Sequence, residues 1–282
     1  MTEKLVDLHT HSVYSDGTLS PRELVRYAAK KQLYAIALTD HDTVAGLPYA
    51  HDEGEKLGVK IINGVEITAT FRTNMFFGEE LHILGLGFTD IEKIKDSFRI
   101  LEQFREKRNR SLISRFNDQG IDITYDELQS ISSNNITRAH FVKLLMEKGY
   151  GDDFYELINK YFVGDVPTNI PKEAFAPTAA IKIIHDSGGI AVFAHPLRYG
   201  FKEKDVRKVC RKLKDCGLDA LEAVYSTHTP DNEKFLRNLA KDLDLKISGG
   251  SDFHGGTKPG IDLGCGYGDL VIPASILENL NI

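Results

Sequence analysis

Seven short apolar runs, each carrying histidine or acidic residues at or near its end, constrain this chain's fold most strongly. Each run has the length and composition of a strand buried on both faces. The runs occupy residues 4–11, 34–42, 59–66, 81–88, 188–196, 218–228 and 245–254. Helical patterns lie between most of them, and alternating strands and helices indicate βαβ units in a parallel sheet. Seven strands predict a closed or nearly closed α/β barrel, whose strand ends converge on one mouth.

Local signals place the helices of this barrel. One helix is predicted after Ser20, the N-cap, with Pro21 at the first helical position and an apolar stripe of Leu24, Val25 and Ala28. Further helices are predicted over residues 43–57, 177–187, 203–215 and 231–243. The chain has 282 residues, 41% of them hydrophobic, which is enough apolar material for a single barrel of about 250 residues.

Residues 90–165 interrupt the alternation of strands and helices. Their periodicity predicts four consecutive helices and no strand, over residues 91–118, 124–131, 138–148 and 152–161. We therefore expect a barrel domain made of residues 1–89 and 166–282. We expect residues 90–165 to form a helical insertion that caps the mouth of the barrel.

Charge and cysteine content limit the partners and the location of the protein. The net charge of −6 argues against a general role in coating nucleic acid or membranes. The basic residues of the first insertion helix are interpreted as a solvated face, with a nucleic-acid track as the alternative.

Cys210, Cys216 and Cys265 form no C-x-x-C pair. We expect a cytoplasmic protein without a leader, a membrane contact or an obligate protein partner, with Cys210 as a core residue.

The strand ends supply the candidate chemistry. Side chains alternate along a strand with a period of two, so the H-x-H spacing places His9 and His11 on one face, and the same holds for Asp252 and His254. The other strand-end candidates are Asp16, Asp40, His41, Asp42, Glu66, His82, His195, Glu222 and His228. Such a concentration of ionisable groups is costly without a cation, and imidazoles and carboxylates bind Zn, Mn and Fe. The set therefore predicts a metal site, whereas His51 and His185 lie in predicted helices and are expected to be structural.

Six motifs between residues 7 and 255 resemble those of the PHP (polymerase and histidinol phosphatase) family. They are D-L-H-T-H with S-D-G, T-D-H-D, G-V-E, L-H-I-L-G, A-H-P and S-D-F-H-G, in the family's order. The resemblance implies a distorted (β/α)7 TIM-like barrel with up to three divalent metals. It implies a first metal held by His9, His11, Glu66 and Asp252. It implies a second held by Asp16, His41 and His254, and a third held by Glu66 as a bridge with His82 and His195.

Charge counting indicates the kind of substrate that such a site prefers. Three divalent ions carry about +6, and the ionised carboxyls of Asp16, Glu66 and Asp252 carry about −3. With a bridging hydroxide and neutral histidines the sum is roughly +2, which suits a phosphate monoester dianion better than a neutral amide or ester. The metals would generate the hydroxide and bind the phosphate oxygens. Mixed nitrogen and oxygen ligation is compatible with Mn, Zn or Fe, and we expect two to three such ions.

Three further segments resemble a PHP subgroup that includes nucleoside 3′,5′-bisphosphate phosphatases and 5′-to-3′ exoribonucleases acting on short RNA. The segments are S-D-G-T-L-S-P-R-E-L-V, I-T-R-A-H-F and A-H-P-L-R-Y. In that subgroup the arginine and histidine of the insertion motif are associated with phosphate recognition. They correspond here to Arg138 and His140, whose alternative roles are a local ion pair and a turn cap. Arg198 and Tyr199 are also expected to contact the substrate, and packing at the rim of the barrel is their alternative role. His228 is expected to orient the substrate or to protonate the leaving oxygen.

These observations favour a metal-dependent phosphoesterase that uses a metal-bound hydroxide. The expected substrate is a phosphorylated small molecule, a nucleotide, or the 5′ end of a short RNA. Histidinol-phosphate phosphatase is one alternative, against which the I-T-R-A-H-F motif argues. A non-catalytic accessory module is another, against which the complete ligand set argues. Fold by itself does not determine the substrate.

Overall fold

The computed structural model describes residues 4–71, 80–131, 136–164, 166–170 and 174–282 of the chain. It divides into two compact units, Met1–Ser97 with Ala174–Ile282, and Phe98–Glu173. The boundary expected at residue 165 falls on a position outside the described residues. The first unit holds the strands, and the second holds helices.

Seven strands form one sheet in sequential order in the first unit. They are β1 (Val6–Thr10), β2 (Ala35–Leu38), β3 (Lys60–Thr70), β4 (Glu80–Leu86), β5 (Ile190–Phe193), β6 (Ala220–Tyr225) and β7 (Lys246–Gly250). Most neighbouring strands are parallel, but β4 is antiparallel to both β3 and β5. This corrects the expectation of a wholly parallel sheet. Nine residues separate β3 from β4, too few for the crossover of a dozen or more residues that parallel neighbours need.

The direction of β4 decides where His82 lies. His82 is the third residue of β4, so it lies near the start of its strand and not at its end. Because β4 runs against its neighbours, its start falls at the edge where the parallel strands end. Thr68 of β3 pairs with His82 across this hairpin.

The sheet closes between β1 and the segment that follows β7. The Asp252 N–H donates to the His9 carbonyl at 2.9 Å, and the His11 N–H donates to the Phe253 carbonyl at 2.9 Å. Gly250 makes this approach possible, because a Cβ there would overlap the Cβ of His9. The predicted nearly closed α/β barrel is confirmed.

Ten helices are found among the described residues. They are α1 (Pro21–Lys30), α2 (Leu47–Leu57), α3 (Ile91–Asp118), α4 (Tyr125–Ile131), α5 (Arg138–Glu147), α6 (Phe154–Phe162), α7 (Pro177–Asp186), α8 (Glu203–Asp215), α9 (Pro230–Asp242) and α10 (Ala274–Leu280). The Ser20 side chain caps α1, with Glu23 completing a capping box. Helix α2 begins at Leu47 and not at residue 43, because Pro48 occupies its first turn.

Helix α10 was not predicted, and it completes the core of the first unit. Its residues Ile276, Leu277 and Leu280 belong to the same buried cluster as Val6 and Leu8 of β1. Burial of such side chains is the main favourable contribution to folding. The predicted stripe of α1 and the predicted core position of Cys210 are confirmed as buried.

The helical unit has a core of its own. Aromatic side chains dominate it, with Phe116 from α3 stacked on Phe141 from α5 at a ring distance of 5.8 Å. Tyr161 and Phe162 of α6 pack against Phe116 at 5.4 and 5.9 Å. Aromatic pairs at these distances add to the gain from burial. The described part of residues 90–165 contains helices and no strand, as predicted. None of the described helices has the length and hydropathy needed to cross a membrane.

The closure of the barrel can be tested at Gly250. In Gly250→Ala, the new methyl group would overlap the Cβ of His9 and lie 2.7 Å from its backbone nitrogen. We expect the free energy of unfolding to fall by about 1–3 kcal/mol, measured by chemical denaturation. Gly256→Ala is the matched control, since its Cβ would meet nothing nearer than Thr18 Cγ2 at 3.6 Å. Equal stability of the two variants would show that the contact between β1 and the segment around Gly250 is not tightly packed.

Candidate metal centre

One buried carboxylate, that of Glu66 on β3, is the centre of the site. Its side chain has no exposure to solvent, and its two oxygens face different imidazoles. Oε2 lies 3.2 Å from Nε2 of both His9 and His11, and 3.3 Å from Nδ1 of His41. Oε1 lies 2.9 Å from His82 Nδ1 and 2.9 Å from His195 Nε2. The sequence placed Glu66 at a strand end, whereas β3 continues to Thr70.

The predicted site residues converge in three overlapping groups, in each of which the possible ligand atoms lie within 4.8 Å of one another. The first group contains His9, His11, Glu66 and Asp252. The second contains His11, Asp16, His41 and His254, and the third contains His41, Glu66 and His82. His195, which the resemblance placed in a third set, lies outside these groups, although it contacts Glu66. Its ring centre lies 5.3 Å from that of His82.

The unpaired atoms of this cluster fit a cation. Several of its buried polar atoms have no hydrogen-bond partner among the described residues: His9 Nε2, His11 Nε2, His195 Nδ1, His254 Nε2 and Glu66 Oε2. A buried polar atom without a partner costs free energy, so native proteins rarely leave several together. Imidazole nitrogens and carboxylate oxygens are the donors that divalent transition metals take. The described residues therefore fit divalent metal ions.

The pKa values show how the cluster balances its charge without a metal. Burial lowers the pKa of His11, but Asp252 and Glu66 outweigh burial and raise it to about 9. Burial also lowers the pKa of His82, but the negative charge of Glu66 outweighs burial and raises that pKa to about 10. Burial lowers the pKa of His41 to about 3, and Glu66 offsets only part of this effect. Protons on some imidazoles thus take the place of a metal charge.

Hydrogen bonds orient two of the imidazoles. Glu222 Oε1 accepts from His9 Nδ1 at 2.9 Å, and Glu222 Oε2 accepts from the His195 backbone N–H at 2.7 Å. His254 Nδ1 donates to the Asp252 carbonyl at 2.8 Å. Both contacts assign the proton to Nδ1 and leave the Nε2 lone pair facing the centre, which is the tautomer a metal ligand needs. Glu222, a strand-end candidate in the sequence, therefore orients the candidate ligand His9.

Two further carboxyls, of which Asp40 is buried and Asp42 is partly buried, brace the segments that carry the candidate ligands. Asp40 accepts from the Ser12 N–H and hydroxyl and from the Ser15 hydroxyl, each at 2.7 Å, and so holds the loop after β1. Asp42 accepts from the Thr68 N–H at 2.9 Å. Both residues were strand-end candidates in the sequence, and these hydrogen bonds join them to loop and strand groups beside the candidate ligands.

Sequence reasoning missed Asp7 of β1, which binds the segment that follows β7 and closes the sheet. Its Oδ1 accepts from the Ser251 N–H at 2.9 Å, and its Oδ2 accepts from the Ser251 hydroxyl at 2.5 Å. Oδ2 also accepts from the Gly264 N–H at 2.8 Å. Asp7 stands two residues before His9, on the same strand face, and this period is the signal by which the sequence could have identified it.

The backbone is strained at two candidate ligands. His195 has a φ of 31° and Asp252 a φ of 58°, in the left-handed region that residues other than glycine rarely adopt. Strain of this kind costs about 1–3 kcal/mol and is concentrated at functional sites. It aims both side chains at the cluster immediately after β5 and β7 end.

A cavity of about 290 Å³ opens beside the cluster. Its lining residues are His41, Glu66, Glu80, His82, His195, Arg198, Tyr199, Asp252 and Lys258. Arg198 and Tyr199 were expected at the substrate, and both line the cavity. The Tyr199 hydroxyl accepts from the His82 N–H at 2.9 Å and donates to the Ala194 carbonyl at 3.2 Å. Glu80 and Lys258 were not singled out from the sequence.

His228 is not among the residues that line this cavity. Its Nδ1 donates to the Ala223 carbonyl at 2.9 Å, its Nε2 is buried without a hydrogen-bond partner, and burial lowers its pKa. His228 is therefore neutral near pH 7. His51 and His185 lie in α2 and α7, where they contact Asn63 and Asp219, as expected of structural residues.

Arg138 and His140 lie in the helical unit at the start of α5. His140 Nδ1 accepts from the Thr137 N–H at 2.9 Å as part of a capping box. Arg138 Nη2 donates to Asn169 Oδ1 at 3.1 Å and to the Ile170 carbonyl at 2.9 Å. On α3, Arg110 pairs with Glu106, the local pairing expected of a solvated helix face.

The pKa shifts predict how stability depends on pH in the metal-free protein. The raised pKa values of His11 and His82 stabilise the fold below pH 6.5, the ordinary pKa of histidine. This stabilisation is lost as the pH rises through the pKa of His11, about 9, and that of His82, about 10. The lowered value at His41 removes stability as the pH falls from 6.5 towards 3. We therefore expect the free energy of unfolding to be greatest near pH 6.5, measured by chemical denaturation between pH 4 and 10. The loaded protein is the control, since a bound metal needs neutral imidazoles, and stability rising from pH 6.5 to 9.5 without metal would contradict the prediction.

Comparisons with known proteins agree with this geometry. The family model described as PHP domain matches residues 7–215. A 5′-3′ exoribonuclease from Haemophilus influenzae is 37% identical over 257 residues, covering 90% of this chain and 91% of that protein. A 3′,5′-nucleoside bisphosphate phosphatase from Chromobacterium violaceum is 29% identical over 262 residues, covering 92% and 90% of the two chains.

The fold is also similar to that of a solved structure. A crystal structure from Bifidobacterium adolescentis, provisionally assigned as a metal-dependent phosphoesterase, superposes with a TM-score of 0.79 at 27% identity. The superposition covers 98% of this chain and 95% of that one. The likeness therefore includes both the strands and the helical segment.

Proposed function

The chain belongs to the PHP domain family and is a metal-dependent phosphoesterase, and we propose that it hydrolyses a phosphate ester of a nucleotide. The proposed substrate is a nucleoside 3′,5′-bisphosphate or a short 5′-phosphorylated RNA. The two relatives described above are named as enzymes that act on phosphate esters of nucleotides or RNA, which supports this class. The protein is proposed to act in the cytoplasm, in keeping with its three free cysteines.

The contacts of Glu66 are the observation that carries the proposal. One of its oxygens faces three imidazoles and the other faces two. A carboxylate shared in this way is suited to bridging two cations. We propose that the groups described above hold two to three divalent ions, of Mn, Zn or Fe. When bound, such ions lower the pKa of water and stabilise the charge that develops on a phosphoryl group.

The chain's own residues position these groups and the substrate. Glu222 and the Asp252 carbonyl fix the tautomers of His9 and His254, and the strained backbone at His195 and Asp252 aims them inward. We propose that His228, neutral at pH 7, orients a substrate hydroxyl through its unpaired Nε2. A neutral imidazole is a hydrogen-bond acceptor at that atom, so this role suits it better than protonation of the leaving oxygen.

A substrate panel tests the proposed function. The metal-loaded protein is assayed with a nucleoside 3′,5′-bisphosphate, a short 5′-phosphorylated RNA and histidinol phosphate, with products separated by chromatography. We expect the nucleotide substrates to react with a kcat/KM at least about tenfold above that of histidinol phosphate, because a pocket built for particular polar groups rejects a substrate that lacks them.

Glu66→Gln is the decisive variant in this assay. Because it removes the charge between the metal groups, kcat should fall by about a hundredfold or more, with reduced metal content by elemental analysis. Glu278→Gln, on the exposed side of α10, is the matched control and should behave as the parent protein does. Full activity and full metal content in Glu66→Gln would disprove the role of Glu66.

We also propose, from the insertion motif, that Arg138 and His140 bind a phosphate of the substrate. Arg138→Ala should lower kcat/KM for a 5′-phosphorylated RNA by about tenfold to a hundredfold with metal content unchanged, since a charge-assisted hydrogen bond contributes about 1.5–3 kcal/mol. Because Arg138 also holds Asn169 and Ile170, the melting temperature is measured in parallel. Lys143→Ala, an exposed position on the same helix, is the control. A change in melting temperature with kcat/KM unaltered would assign Arg138 a structural role only.

A further inference from the structure

Two cationic side chains approach the metal centre from one side. Among the described residues that line the cavity, Arg198 and Lys258 are the ones with a permanent positive charge. Arg198 follows β5 and Lys258 follows β7, so different loops supply them. Lys258 Nζ lies 2.5 Å from Asp252 Oδ2, and Arg198 Nη1 lies 3.7 Å from the same oxygen.

Asp252 divides its two oxygens between the metal groups and these cations. Its Oδ1 lies 3.4 Å from Nε2 of both His9 and His11. Its Oδ2 faces away from the imidazoles and also accepts from the Tyr225 hydroxyl at 2.6 Å. The cationic pair is therefore separated from the metal centre by a single carboxylate group.

Among the described residues, no recorded contact uses the full donor capacity of either cation. Lys258 Nζ has three N–H groups, and Asp252 is the side-chain partner that the structure gives it among the described residues. Arg198 Nη1 donates to the Tyr225 hydroxyl at 3.0 Å, which leaves the other side of its guanidinium fork available. The Arg198 and Lys258 side chains are 45% and 28% exposed, whereas Asp252 is 2% exposed. The unused donors thus lie on the cavity side of the carboxylate.

We propose that Arg198 and Lys258 form a subsite for a second, non-reacting phosphate of the substrate. The proposal rests on the proposed function, because it assumes that the metal groups act on another phosphate of the same molecule. Arg198 presents a planar fork that matches phosphate oxygens, and Lys258 supplies a compact charge. A metal held by the group that contains Asp252 would neutralise part of the Asp252 charge. The attraction of Asp252 for Lys258 would then weaken, and Lys258 would be free to bind a phosphate.

This subsite would distinguish substrates by the number of their anionic groups. A nucleoside 3′,5′-bisphosphate carries a second phosphate that the cationic pair can hold, and a nucleoside 3′-monophosphate carries none. Holding the second phosphate fixes the position of the reacting one, which raises the rate as well as the affinity. The metal-ligand set by itself does not make this distinction, since both substrates offer it the same phosphate.

Lys258→Met tests the subsite, because methionine keeps much of the apolar stem and removes the charge. We expect the ratio of kcat/KM for the bisphosphate to that for the 3′-monophosphate to fall by about tenfold to a hundredfold. Lys258→Arg keeps the charge and should retain most of the preference. Lys204→Met, at an exposed position on α8, makes the same charge change outside the cavity lining and should leave the ratio as in the parent protein.

A binding measurement separates this inference from the proposed function. Isothermal titration of the metal-loaded protein with inorganic pyrophosphate and with inorganic phosphate compares two phosphoryl groups with one. In Lys258→Met the affinity for pyrophosphate should fall by about tenfold or more, and the affinity for phosphate should fall less. If the parent protein hydrolyses neither nucleotide, the proposed function fails, and these titrations still decide the subsite.

Two results would overturn the subsite. Equal losses for both substrates and both anions, together with lower metal content by elemental analysis, would mean that Lys258 acts only by positioning Asp252. An unchanged preference in both measurements would mean that the cationic pair does not contact the second phosphate. Loss of the preference at full metal content, with rescue by Lys258→Arg, is the result that supports the proposal.

Discussion

Burial of the Glu66 carboxylate among five imidazoles is the interaction on which the rest of the site depends. An isolated charge with no exposure would be strongly unfavourable, and burial does oppose ionisation of Glu66. The surrounding imidazoles nevertheless hold the pKa of Glu66 well below its ordinary value, and His41 and His82 have the largest lowering effects. The reverse effect raises the pKa of His11 and His82. Carboxylates and imidazoles therefore stabilise each other in the metal-free protein, and a metal must displace protons to bind.

The closure of the barrel brings these groups within reach of one another. His9 on β1 and His11 just after it face Asp252 and His254 only because this part of the chain pairs with the segment after β7. Two features permit that pairing. Gly250 removes the side chain that would collide with His9, and Asp7 ties the closing segment to β1 through Ser251 and Gly264. The packing between β1 and the segment after β7 consequently determines the geometry of the metal groups. A change in that packing would displace candidate ligands directly.

Much of the fold and of the candidate site follows from sequence periodicity, and the misses have physical reasons. The period of two in H-x-H and the position of acidic residues after apolar runs identified the residues that the structure brings around Glu66. The direction of β4 was missed because strand periodicity carries no direction, and because the third apolar run was expected to end at Glu66, which left fourteen residues before the fourth run. In the structure β3 continues to Thr70, and the nine residues that remain are too few for a crossover. Lys258 was missed because it lies six residues beyond Asp252, after a 3₁₀ turn at Gly255–Thr257. No periodic pattern extends through such a turn.

Under the proposed subsite, the division of Asp252 between two environments would let one metal centre serve different phosphate esters. A ligand set that engages only the reacting phosphoryl group does not distinguish the remainder of the substrate. Discrimination must therefore come from side chains just outside the ligand set. The loops after β5 and β7 meet this requirement, because each supplies a candidate ligand, His195 or Asp252, and a cation three or six residues later, Arg198 or Lys258. Under the proposed subsite, replacing these cations would change the specificity and keep the candidate ligands in place.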